Sequence, residues 1–136
     1  MIAPIWKTEI LPRKYREQPA NFSYVKSILD ATSKMQEYCA RVNRAIAKAV
    51  TCCGCIKIDA DKQCLPPDVS YSDIRTFMQS HMDGTLCDNC RDTISHEIGT
   101  TVFYLAALCN LLELDLDTVI REENERIRTL GIYSLK

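Results

Sequence analysis

From about Asn21 the apolar positions of the chain fall into a helical rhythm. Val25, Ile28, Thr32, Met35, Cys39, Val42, Ile46 and Ala49 recur three and four residues apart, which predicts a long helix with one apolar stripe. Asn21 or Ser23 can cap its start, and Gly54 in the run Thr51-Cys-Cys-Gly-Cys55 ends it. Residues 56–69, with Pro66-Pro67, read as loop. Ser70 with Asp73 three residues on resembles a capping box. It predicts a short helix that presents Ile74, Phe77, Met78 and Met82 and stops at Gly84. Cys87-Asp-Asn-Cys90 opens a further helix, whose broad apolar face carries Ile94, Ile98, Val102, Leu105, Leu108, Cys109 and Leu112. Asp115 can cap a last helix with Leu116, Val119, Ile120, Ile127 and Leu130, ending at Gly131. No strand pattern of useful length and no internal repeat is visible. Pro4, Pro12 and Pro19, with Trp6 and Tyr15 between them, predict an extended arm over residues 1–20. The expected organisation is that arm followed by a single all-α domain over 21–136. The domain reads as a helical bundle with a long first helix and a Cys-rich insert over about 51–90.

Composition keeps the chain within the ordinary globular class: 136 residues, 46% hydrophobic and 26% charged. The longest strongly apolar stretch, residues 102–109, is interrupted by Asn110 and falls far short of the ~18 residues of a membrane span. The first residues lack a basic segment leading into a long apolar one, so no secretory signal is read and the cytoplasm is the expected compartment. Charge is divided along the chain. Residues 1–50 hold nine Lys and Arg against four Asp and Glu, and residues 51–136 hold eight against fourteen. Pairing between the halves is the expectation, and duplex nucleic-acid binding is not.

Eight cysteines change the picture. Cys87-x-x-Cys90 at a helix start lets two thiolates chelate one ion, and the helix N-terminus favours their charge. The Cys-Cys-Gly-Cys turn supplies a second clamp, as Cys53-x-Cys55 or as Cys52-x-x-Cys55. Extending the first helix at about 100° per residue puts Cys53 on the stripe and Cys52 near the outer face. The expected ligands of a structural Zn²⁺ are therefore Cys53, Cys55, Cys87 and Cys90, with Cys52, Cys64 and His81 as competitors. A redox pair, an iron–sulfur cluster and free thiols are the other readings of the same spacing. Cys39 and Cys109 lie on apolar faces and are expected in the core.

The stretch HEIGTTVFYLAALCNLLELDLDTV, from His96 to Val119, followed by an amphipathic segment with Arg126 and Arg128, resembles the second half of the MazG-like nucleotide pyrophosphohydrolases. The resemblance covers residues 94–130. It implies an all-α fold that assembles into dimers or tetramers and cleaves nucleoside triphosphates to monophosphate and pyrophosphate. The Mg²⁺ in that reaction is held by acidic residues on two helices. Glu97 matches the glutamate of the family's Glu-x-x-Asp motif, where Thr100 replaces the aspartate. In the first motif, Glu-Glu-x-x-Glu, the match is Glu37-Tyr-Cys-Ala-Arg41, and only Glu37 is retained. The resemblance makes Glu37 and Glu97 the candidate catalytic residues. Helix phase gathers Lys34, Glu37, Arg41, Arg44 and Lys48 opposite the apolar stripe, either as a solvated charged face or as a stripe in which Arg41, Arg44 and Lys48 hold phosphates without a metal. No glycine-rich phosphate loop and no catalytic triad is present. The expected function is nucleotide or phosphate binding without efficient hydrolysis, and the alternative is a Zn-stabilised interaction or scaffold protein. A partner is expected in further copies of the chain, because the apolar arc of the first helix, with Tyr24, Ala31, Tyr38 and Ala45 added, is wider than one short neighbour covers.

Overall fold

The computed structural model describes residues 25–70 and 72–130. The arm over 1–20, its anchors Trp6 and Tyr15, the predicted caps Asn21 and Ser23, and Gly131 lie outside the described residues. The fold is mainly α-helical. Helix α1 spans Ile28–Lys48, strand β1 Ile56–Ile58, helix α2 Ile74–Phe77, strand β2 Met82–Gly84, helix α3 Asp88–Leu111 and helix α4 Leu116–Leu130. No helix among the described residues is long and apolar enough to cross a membrane.

Ser27 caps α1: its hydroxyl oxygen accepts from the Asp30 N–H at 3.4 Å, and Val25 packs from the extended segment ahead of it. At its far end the helix widens into a π turn over Ala49–Cys53, where the Gly54 N–H bonds back five residues to the Ala49 carbonyl at 2.9 Å. Gly54 adopts φ 74, a left-handed conformation that lets the chain turn out of the helix.

Helices α1 and α3 pack antiparallel. The start of α1 meets the end of α3 in one small core of Val25, Ala31 and Ala107, backed by Phe103, Tyr104 and Leu111. The end of α1 meets the start of α3 in a second core of Ala49, Ile56 and Ile94, backed by Ala45, Val50 and Leu86. Between the two, Tyr38 stacks on Tyr104 with ring centroids 5.4 Å apart. Alanines line much of the seam, and α1 is rotated from the expected phase. Its seam residues are Ala31, Met35, Tyr38, Val42, Ala45 and Ala49, while Ile28, Cys39 and Ile46 of the predicted stripe are exposed. Cys39 is thus not a core residue, whereas Cys109 is buried.

The insert also departs from expectation. The helix begun near Ser70 ends after one turn at Phe77, because Met78 turns to extended backbone. Met82 belongs to β2, which pairs antiparallel with β1 in the register Ile56↔Gly84, Lys57↔Asp83 and Ile58↔Met82. Three-residue strands are too short to show an alternation, so periodicity missed them. Gln63 pins the neck of the insert by donating to the Gln79 carbonyl at 2.8 Å and accepting from the Gln79 N–H at 3.1 Å.

Helix α3 closes without glycine. Glu113 takes φ 57, while the Leu114 N–H reaches the Cys109 carbonyl at 2.8 Å and the Glu113 N–H the Asn110 carbonyl at 3.2 Å, a Schellman ending. Asp115 then caps α4, accepting from the Thr118 N–H at 3.0 Å. Leu116 is the one buried residue of α4, and Val119 and Leu130 are exposed.

Candidate metal centre

Two segments 34 residues apart meet where α1 ends and α3 begins. The π turn and Gly54 carry Cys53 and Cys55 out of α1 directly into β1. β2 returns beside β1 and leads within three residues to Cys87, the N-cap of α3. The ladder depends on Gly84. At φ +88 it lies so near the first clamp that a Cβ there would stand 2.6 Å from the Cys55 carbonyl oxygen. From sequence Gly84 reads as a helix stop. The Asp83-Gly84 pair was the available signal for a tight backbone approach instead.

The result is a cluster of Cys53, Cys55, Cys87 and Cys90 with all four sulfur atoms within 4.8 Å of one another, an arrangement that could hold a metal ion. Among the described residues it is the one group of three or more His, Cys, Asp or Glu side chains placed to do so. Cys53 is exposed, and the other three are half-buried. Cys52, which is exposed, Cys64, whose thiol donates to the Lys62 carbonyl at 3.6 Å, and His81 lie outside the cluster. Cys53 rather than Cys52 enters it through the π turn. The regular helical phase used to separate the two does not persist that far.

The donor set fits a soft or borderline cation and not Mg²⁺ or Ca²⁺, which take oxygen. Four sulfurs about 2.3 Å from a tetrahedral Zn²⁺ stand about 3.8 Å apart. The Cys53 and Cys87 sulfurs are 3.7 Å apart. Local electrostatics favours one thiolate and penalises the next. The Cys90 N–H, donating to the Cys87 sulfur at 3.5 Å, leads the interactions that bring the Cys87 thiol down to about 7. The Cys87 sulfur and burial push Cys90 up to about 12, and Cys87 likewise raises Cys53. A divalent cation removes that repulsion among thiolates.

The residues singled out by the family resemblance come together only in part. Arg41 on α1 and Glu97 on α3 meet in a two-pronged ion pair, with Nε to Oε2 at 2.9 Å and Nη2 to Oε1 at 3.0 Å. Glu97 is buried at 8% exposure, and the guanidinium beside it holds its carboxyl below the usual carboxylate range. Arg41 also lies over the Tyr38 ring, 5.1 Å from its centroid. Glu37 instead pairs with Lys34 at 3.1 Å along the same helix. Arg44 and Lys48 are exposed and do not join Arg41 around Glu97. No family model, curated protein or solved structure matches the chain.

Proposed function

We propose that this chain is a zinc-stabilised helical interaction protein, with Zn²⁺ held by Cys53, Cys55, Cys87 and Cys90. The observation that carries the reading is the convergence of four sulfurs from two separate segments at the junction of α1, β1, β2 and α3. Four thiolates close the coordination of Zn²⁺, so such an ion orders the fold and performs no chemistry of its own. Reduced thiols are available for this in a cytoplasmic setting. What the centre stabilises is a molecule with much apolar surface turned outward: Ile28, Leu29 and Ile46 on α1, Ile98 and Leu105 on α3, and Leu112 just past its end. Surface of this kind fits association with further copies of the chain, and the basic first half and acidic second half favour such pairing over self-repulsion. Anaerobic purification followed by elemental analysis and light scattering tests both parts. The reading requires about one zinc per chain and a mass above that of the monomer.

A second reading, a divergent MazG-like nucleotide-binding protein, is favoured by one observation. Glu97 and Arg41, both from the segments that resemble the family's motifs, face each other across α1 and α3. With the Glu97 carboxylate engaged by a guanidinium and Glu37 turned to Lys34, binding of a nucleotide phosphate by Arg41, Arg44 or Lys48 is the expected activity, with little hydrolysis. A pyrophosphate-release assay over a nucleotide panel with Mg²⁺ or Mn²⁺ decides this. Strong turnover that disappears in Glu97→Gln would replace the interaction reading with an enzyme.

A further inference from the structure

The centre is open on one side. Cys53 is exposed, and its sulfur stands 3.7 Å from that of Cys87, although the two residues lie on different segments. A metal thiolate that solvent reaches is also reached by small oxidants, and susceptibility of a thiol to oxidation follows thiolate character and access. We propose that Cys53 and Cys87 form an oxidation site for hydroperoxides, at which a disulfide between them displaces the zinc while keeping the two segments joined. The proposal rests on the reading of the cluster as a zinc centre.

The chemistry balances in two steps. The Cys53 thiolate attacks one peroxide oxygen. The O–O bond breaks, a sulfenic acid forms, and the departing hydroxide takes a proton to become water. The Cys87 thiolate then attacks the sulfenic sulfur, forming the S–S bond and breaking S–O, and a second proton carries that oxygen away as water. Two thiolates lose two electrons, and one hydroperoxide is reduced to two waters, or to an alcohol and a water. Zinc, left with Cys55 and Cys90, has lost half of its ligands and dissociates.

The choice of partners matters for the outcome. A bond within either clamp, Cys53 to Cys55 or Cys87 to Cys90, would leave no cross-link between the two cysteine segments. A bond between the clamps replaces the metal as a cross-link over the same 34-residue separation. Oxidation would thus remove the metal and leave the helix pair closed, and thiol reduction with zinc present would restore the starting state.

The test uses the full chain, purified anaerobically and assayed for zinc before anything is added. Hydrogen peroxide is added stepwise while a chromogenic chelator records released zinc, and differential alkylation with peptide mass mapping locates the disulfides. The expected result is one zinc released per disulfide, a Cys53–Cys87 linkage, and reversal by a thiol reductant with zinc. Cys52→Ser, which lies outside the cluster, should give the same linkage and stoichiometry. Zinc present at the outset but retained under excess peroxide overturns this proposal alone, and so does release accompanied by a Cys87–Cys90 bond or by a bond to Cys52. Protein that contains no zinc before oxidation overturns the metal reading beneath it.

Discussion

Single residues set the geometry on which the rest depends, and Gly84 is the clearest case. Any side chain there meets the Cys55 carbonyl at 2.6 Å and must also hold φ +88, a conformation that costs an L-residue about 1–2 kcal/mol before the clash is counted. Gly84→Ala should therefore lower zinc content and melting temperature together, although it removes no ligand; elemental analysis beside a thermal melt reads both. Arg41 and Glu97 act through charge. Because the guanidinium lowers the folded-state value of Glu97, the pair's contribution is fully present above the unfolded carboxylate value of about 4.3 and is lost as pH falls through the lower folded one. Denaturant midpoints measured from pH 6 down to pH 3 should show a steeper decline in the parent protein than in Glu97→Gln. Equal slopes would mean that the pair is not formed. Zinc uptake has the same dependence on protonation. Thiols must lose protons to bind, and with Cys90 pushed up to about 12 in the free cluster, affinity should fall steadily as pH is lowered.

At the scale of the elements, hydrophobic spacing located the long helices α1, α3 and α4, and the Asp115 cap as well, because each runs for several turns and its rhythm is sustained. The rotation of α1 about its axis was not legible. The three-and-four spacing suggested a seam centred on Ile28, Cys39 and Ile46, with Ala31, Tyr38 and Ala45 only in its wider arc. The seam that forms runs through Ala31, Ala45 and Ala49, with Tyr38 stacked on Tyr104 and Arg41 paired to Glu97, contacts that only the facing helix can specify. The strands β1 and β2 escaped notice because each is three residues long and held by register to the other rather than by its own pattern. Cysteine spacing carried further: the two clamps that converge are Cys53-x-Cys55 and Cys87-x-x-Cys90. The rotation of α1 has a measurable consequence, since it leaves Ile46 41% exposed on a face with no partner within the described chain. Ile46→Lys should leave the helical content by circular dichroism unchanged and shift the mass by light scattering from oligomer toward monomer. A parent protein that is already monomeric at micromolar concentration would end the case for that face as an interface.

At the scale of the whole molecule, the described residues bury little core. Among the described residues no large side chain is fully buried, and the buried apolar set includes Ala31, Ala49 and Ala107, which remove little surface from water. A described core this small leaves room for a second source of order. A zinc ion bound by four thiolates supplies apparent free energies on the order of 10 kcal/mol, comparable with the entire net stability of a domain of this size. An ion held by the four cysteines at the junction of α1 and α3 would tie the β1–β2 ladder to the helix pair. The most direct measurement is a thermal melt of the anaerobically purified protein, with metal content determined on the same sample, before and after treatment with a strong chelator. The account predicts about one zinc per chain, a large drop in melting temperature on chelation, recovery on adding zinc back, and loss of both metal and stability in Cys87→Ser and Cys90→Ser but not in Cys52→Ser. Eight freely titrating thiols in a metal-free protein whose melting temperature is indifferent to chelator would contradict it.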